Sequence, residues 1–299
     1  MKTPPYLTKG SRIAIVSPAG YINHDFVFST ETYLKSIGYE VEIFPHCLGR
    51  YNQMASTDEE RLADMQAALD NPNISAILCS RGGYGVNHIV DKIDLANFKK
   101  HPKWILGFSD ITNLHILANK HKIKSLHCQM AKAIHNNAES DCISNIFKVL
   151  QGEKVEYSAE PSPLNRKGIA TGEIVGGNLS IIYSLQGTDF AIDCKDKILF
   201  IEDLNEYLYH IDRMMVNLKM SGKLAELRGL VVGTFSDMLD NASPFGKTAY
   251  EIVKAYTEEY SYPVGFGFPI GHTDNNQPIV EGGKYKLEIT DATCSLKML

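Results

Sequence analysis

No stretch of eighteen apolar residues occurs in the 299-residue chain, which argues against a membrane-spanning helix. The opening segment MKTPPYLTKGSRIAIVSPAG lacks the apolar core of a secretory signal, because RIAIV is too short for one and reads as a first strand. A cytoplasmic location is the default expectation. No Lys/Arg stripe with interleaved aromatics is present, and the net charge of −5 comes from acids and bases mixed along the whole length, so nucleic acid is a poor partner. The six cysteines (Cys47, Cys79, Cys128, Cys142, Cys194, Cys294) show no C-x-x-C pair. Zinc ribbons and disulfide frameworks need closer spacing, so buried, reduced thiols are expected.

What is present is an ordinary globular mixture, 44% hydrophobic and 22% charged, in a chain long enough for two packed domains. The first half alternates β-rich runs with helical patterns. Strands are expected at Arg12–Ser17, Tyr39–Phe44, Ser75–Cys79, Trp104–Gly107 and Lys124–His127. Helices fall between them at about 25–37, up to Leu69 behind a capping box at Ser56-Thr57-Asp58-Glu59, around 86–92, and at about 111–120. This βαβα rhythm predicts a parallel sheet covered by helices on both faces. Residues 152–167 hold Pro161 and Pro163 without a clear period and read as a linker between domains 1–151 and 168–299. In the second half, strands are expected at Lys197–Ile201, Leu230–Gly233 and in two or three short pieces after Pro278, with helices at about 207–219 and 247–259. A smaller mixed α/β domain follows.

Three segments put reactive side chains directly after strands, where open parallel sheets carry their sites. In Trp104-Ile105-Leu106-Gly107-Phe108-Ser109-Asp110-Ile111-Thr112 an apolar strand runs into Gly-x-Ser and then into a helix. That setting lifts a nucleophile clear of the sheet, although Ile111 replaces the last glycine of the general G-x-S-x-G elbow. Taken alone, the local pattern favours a serine that only caps the helix starting near Ile111, with Asp110 favouring its dipole. In Cys79-Ser80-Arg81-Gly82-Gly83-Tyr84-Gly85 a strand enters a glycine-rich turn whose N–H groups can receive an anion or an oxyanion, or simply a tight turn. It lacks the Gly-Lys-Ser/Thr of a phosphate-binding loop. In Leu199-Phe200-Ile201-Glu202-Asp203 a buried strand ends in two carboxylates, suited to orient a histidine or merely solvated. His210 follows Glu206 by four residues and suits a surface pair. His272 lies in a loop of glycine, proline and asparagine, where a functional side chain is more plausible. His127 beside Cys128 is held in reserve as part of a Cys/His site.

The same segments, with Ser17-Pro18-Ala19, Gly176-Gly177-Asn178-Leu179-Ser180 and Ile211-Asp212-Arg213, resemble the L,D-carboxypeptidase family of serine peptidases nearly end to end. The family includes murein tetrapeptide carboxypeptidases and microcin-immunity hydrolases. The resemblance implies an N-terminal flavodoxin-like α/β domain and a smaller C-terminal domain. It implies a triad of Ser109, Glu202 and His272, with Ser109 from the first domain and the other two from the second. The N–H groups of Gly83 (or Gly82) and Asp110 would form the oxyanion hole. Arg81 is the nearest candidate by motif for the substrate carboxylate but could equally be structural, and Asn178 either positions substrate amides or caps a helix. No metal or organic cofactor is implied, and a homodimer is.

The implied reaction is release of the terminal D-alanine from murein tetrapeptide in cell-wall recycling. The immunity branch instead cleaves an aminoacyl-nucleotide and carries an aromatic residue on a longer loop. Here the single tryptophan, Trp104, lies in the strand before Ser109, which favours the murein branch. Two readings from other classes stand beside it: a non-catalytic flavodoxin-like ligand-binding module, and a Cys-dependent enzyme using Cys128 or Cys79.

Overall fold

The computed structural model describes residues 1–299 and divides them into two compact units, Met1–Glu153 with Pro278–Val280, and Lys154–Gln277 with Glu281–Leu299. It is a mixed α/β structure with two sheets.

The first unit is built on strands β1 (Arg12–Val16), β2 (Glu40–Ile43), β3 (Ile74–Cys79), β4 (Trp104–Gly107) and β5 (Ser125–His127). Helices α1 (His24–Ser36), α2 (Asp58–Asp70), α3 (Ala96–Lys100), α4 (Thr112–Lys120), α5 (Ala131–Asn137) and α6 (Asp141–Leu150) accompany them. Strands β2, β1, β3, β4 and β5 pair parallel in that order. The runs of the inner strands β1, β3 and β4 are largely apolar and buried because helices cover both faces of such a sheet, whereas the edge strand β2 alternates and is partly exposed. Ile13, Ile15, Ile77 and Leu106 are each at most 2% exposed. Trp104 belongs to this core, with its indole N–H donating to the Pro5 carbonyl at 3.0 Å. Lys103 is buried too, and its ammonium caps the end of α2 through the Ala68 and Asn71 carbonyls. Burial lowers its pKa to about 8.

The second unit comprises β6 (Glu156–Ser158), β7 (Gly168–Asn178), α7 (Leu179–Ser184), β8 (Ile198–Leu204), α8 (Leu208–Met220), β9 (Gly229–Ser236), α9 (Ala249–Thr257) and β10 (Val264–Phe266). After β11 (Ile279–Glu281), which edges the first unit's sheet, come β12 (Lys284–Ile289) and β13 (Cys294–Met298). The second sheet runs β10-β9-β8-β7-β12-β13-β6, parallel as far as β7 and antiparallel beyond it.

Four local expectations need correction. The capping box sits one residue on, between Thr57 and Glu60, because Thr57 has the extended backbone of a cap. The helix expected around 86–92 is two short 3₁₀ turns, Val86–His88 and Val90–Lys92. The 152–167 stretch is not featureless: β6 lies inside it and pairs with β13. The first of the final strands joins the N-terminal sheet rather than the C-terminal one.

Candidate active site

The Ser109 turn is shaped by backbone and volume. β4 ends at Gly107, and Ser109 opens a 3₁₀ turn, Ser109–Ile111, that feeds α4. Ser109 has φ 65°, a left-handed conformation costly for a residue with a side chain. Its hydroxyl caps neither the turn nor the helix, so plain N-capping does not explain it. Strain at a strand-to-helix turn is what presents a nucleophile. Gly82 packs directly against it: a Cβ there would lie 2.9 Å from Ser109 Cβ and 3.1 Å from Oγ. The absence of a side chain at Gly82 is therefore what leaves room for the hydroxyl. The neighbouring Gly83 N–H donates to no other group in the chain.

Behind the turn, His115 is fully buried and holds the Gly107 carbonyl at 2.9 Å, with Ser125 Oγ 2.8 Å from its other ring nitrogen. Burial lowers its pKa to about 4, so it is neutral. Asp110 is buried as well, and desolvation raises its carboxyl to about 6 against the Val86 N–H, the charges of Arg61 and His88, and the Asn113 amide. Sequence reading singled out neither His115 nor the Asp110 carboxylate, because their partners lie on other elements.

The second unit supplies a charge pair. Glu202 is completely buried on β8, and its Oε2 lies 2.6 Å from Nδ1 of His272. That contact puts the proton on Nδ1 and leaves Nε2 as the basic nitrogen. Burial pulls the His272 pKa down, but the charge and hydrogen bond of Glu202, then the charge of Asp203, outweigh it and raise the value above 6.5. Gly271 lets the two side chains meet: a Cβ there would lie 2.6 Å from Glu202 Cβ and 2.8 Å from Oε2. The His272 carbonyl accepts a hydrogen bond from Ser236 Oγ at 2.7 Å.

Glu202 and Asp203 lie within β8, not in solvent at its end. Asp203 accepts from Asn178 Nδ2 at 3.0 Å and from the Ser180 N–H at 2.8 Å, and burial followed by the Glu202 charge raises it to about 7. Asn178 is buried and caps α7 through Oδ1, the structural of its two expected roles. Arg81 is exposed, donating to the Tyr21 carbonyl at 2.7 Å with its guanidinium beside the Tyr21 ring. His210 pairs with Glu206 as its spacing suggested. Cys79 and Cys128 are fully buried, and burial pushes both thiols far up, so neither is a ready thiolate. No helix is long and apolar enough to cross a membrane.

Known proteins match both halves of the chain. Residues 13–128 match the LD-carboxypeptidase N-terminal domain, and residues 171–287 match the LD-carboxypeptidase C-terminal domain. A Bacillus subtilis protein named "Probable murein peptide carboxypeptidase" is 31% identical over 98% of this chain and 94% of its own. The murein tetrapeptide carboxypeptidase of Pseudomonas aeruginosa is 25% identical over 89% of each chain. Among solved structures, muramoyltetrapeptide carboxypeptidase from Oxalobacter formigenes superposes with a TM-score of 0.85 at 28% identity, covering 96% of this chain and 98% of that one. With both domains matched and full-length relatives at this level of identity, the chain belongs to the LD-carboxypeptidase family and is a hydrolase of the peptidase class.

Proposed function

We propose that this protein is a serine-type L,D-carboxypeptidase that releases the terminal D-alanine of a murein tetrapeptide, with Ser109 as nucleophile, His272 as base and Glu202 as the group that orients it. The observation that supports this most is the 2.6 Å contact between Glu202 Oε2 and His272 Nδ1. A buried carboxylate against one ring nitrogen leaves the other ready to take a proton, the arrangement a weak nucleophile such as serine requires.

In this reading His272 Nε2 removes the Ser109 proton as Oγ attacks the scissile carbonyl. The oxyanion receives the N–H groups of Gly83 and Asp110. Collapse breaks the C–N bond, and imidazolium returns the proton to the departing amine. Water then repeats the sequence on the acyl-enzyme. Arg81, with its exposed cationic head, is the proposed holder of the substrate's terminal carboxylate. The family resemblance extends the reading to a cytoplasmic homodimer acting on recycled wall peptides.

The test is incubation with murein tetrapeptide, with free D-alanine measured for wild type and Ser109→Ala. Release by the wild type alone is expected. No release by the wild type overturns the murein assignment, and equal release by Ser109→Ala overturns the serine mechanism.

A further inference from the structure

The peptide group joining Gly85 to Val86 is gripped from both ends by buried charges. Its carbonyl accepts from Nη1 of Arg61 at 2.9 Å, and its N–H donates to Oδ2 of Asp110 at 2.9 Å. Arg61 and Asp110 are each 1% exposed. Arg61 spends its other donors on the Pro18 carbonyl, the Ser56 carbonyl at 3.3 Å and the Asp58 carboxylate. Asp110 Oδ1 accepts from Asn113 Nδ2 at 3.1 Å, an amide that also reaches Asn87 Oδ1 at 2.9 Å. One guanidinium and one carboxylate thus tie the turn after β1, the glycine-rich turn after β3 and the turn after β4 to a single peptide plane.

Burying two ions is costly, and a tight turn alone does not need them. The position of this peptide gives the cost a purpose. It lies two residues beyond Gly83, and the carboxylate that holds it belongs to Asp110, whose own N–H follows Ser109 in the chain. We propose that Arg61 and Asp110 are positioning residues of the reaction: by fixing the Gly85–Val86 peptide they aim the Gly83 N–H at the point where the Asp110 N–H also converges. This rests on the serine reading above, with those two N–H groups as oxyanion donors.

Oxyanion donors act in the transition state, so misaiming one lowers kcat while leaving KM nearly unchanged. Two readouts follow from this on the full chain. One is kcat and KM for D-alanine release. The other is the rate of Ser109 labelling by a fluorophosphonate, whose tetrahedral phosphoryl oxygen occupies the same donors whatever the natural substrate is. Asp110→Ala strips the acceptor from the Val86 N–H, and ~100-fold losses in kcat and in labelling rate are expected, with KM within about twofold. Asp110→Asn keeps one acceptor and loses only about tenfold. Arg61→Lys keeps the charge but not the fork, and also loses about tenfold. Because both side chains act through one peptide, the Arg61→Lys/Asp110→Asn double variant falls short of the product of the singles.

A folded Asp110→Asn or Asp110→Ala protein with wild-type kcat and labelling rate overturns the proposal. So does a loss confined to melting temperature, or to KM. If Asp110→Ala does not fold, Asp110→Asn and Arg61→Lys decide it. Full activity in Ser109→Ala sinks the serine reading, and this inference with it. An inactive Ser109→Ala beside an unimpaired Asp110→Asn sinks this inference alone.

Discussion

The Ser109 turn and the Glu202–His272 pair solve opposite physical problems. In the first unit the proposed nucleophile is held by shape, with φ 65° at Ser109 and an empty Cβ position at Gly82. In the second the proposed base is held by charge, with a fully buried carboxylate 2.6 Å from an imidazole. A steric device tolerates changes of pH and fails on added volume. An electrostatic one loses its tautomer and its pKa when a charge is removed. The contrast predicts different responses on the two sides, and its first test is whether the two behave as parts of one machine.

Ser109→Ala and His272→Ala are each expected to lower kcat by about 10⁴- to 10⁶-fold, with the double variant no worse than the poorer single. Single- and double-variant kinetics on one substrate check this. Multiplicative losses would show that the two regions act independently. Glu202→Gln comes next, at ~10⁴-fold, because an amide in place of the carboxylate permits the wrong tautomer. It also removes the largest of the charges that raise the His272 pKa, so imidazolium is less favoured. The acid limb of kcat/KM, which in the proposed mechanism needs neutral His272, is therefore expected to move to lower pH. A limb unchanged in position would separate Glu202 from the base.

Added volume probes the contrast from the other side. A Cβ at Gly82 presses on Ser109, and Gly82→Ala is expected to cost about 10- to 100-fold in kcat by displacing the hydroxyl, without moving the pH limb. A Cβ at Gly271 presses instead on Glu202 and must adopt φ +116°. Gly271→Ala should lower the melting temperature as well, since strain of this kind costs on the order of 1–3 kcal/mol. Melting curves beside pH profiles distinguish the two. A limb that moves in Gly82→Ala would break the division between a steric and an electrostatic half.

The two regions also differ in how far they can be read from sequence. The first follows local rules. The inner strands of the first unit, β1, β3 and β4, are covered on both faces, so they appear as short apolar runs, and β1, α1, α2 and β4 fall within a residue or two of their expected bounds. The Gly-x-Ser turn is visible for the same reason. Glu202 and His272 stand 70 residues apart, and no periodicity couples them. Only resemblance to a family names the pair. β7 escapes pattern reading because its halves pair differently, Gly168–Glu173 with β12 and Ile174–Asn178 with β8, so just its second half is uniformly buried. The helix expected after Gly85 is replaced by two short 3₁₀ turns, and the carboxylate that accepts from the Val86 N–H comes from a turn 24 residues on, which no local pattern shows. Arg61 sits in a charged helix whose spacing gives no sign that it is buried, since the groups that bury it come from the turns after β1 and β3.

The smallest expected effect comes from Asp203, and it tests how much of the His272 shift belongs to the directly bonded carboxylate. Asp203 also raises the His272 pKa, but after Glu202 in size and without touching the ring. Burial, then the Glu202 charge, push its own carboxyl up to about 7, so it lends less charge as the pH falls. Asp203→Asn should therefore move the acid limb down by less than Glu202→Gln does, and the change should be concentrated above pH 7, where wild-type Asp203 is ionised. Because the Asp203 charge acts on His272, the wild-type limb reports the coupled pair, and the variant should give a limb closer to a single proton. The substitution also sets an amide against the Ser180 N–H, at about 1–3 kcal/mol of stability, so the amplitude of activity is a poor measure. The position of the limb does not depend on the amount of folded protein. A shift as large as that of Glu202→Gln would mean that the electrostatic half is a shared field of two carboxylates rather than one hydrogen-bonded pair.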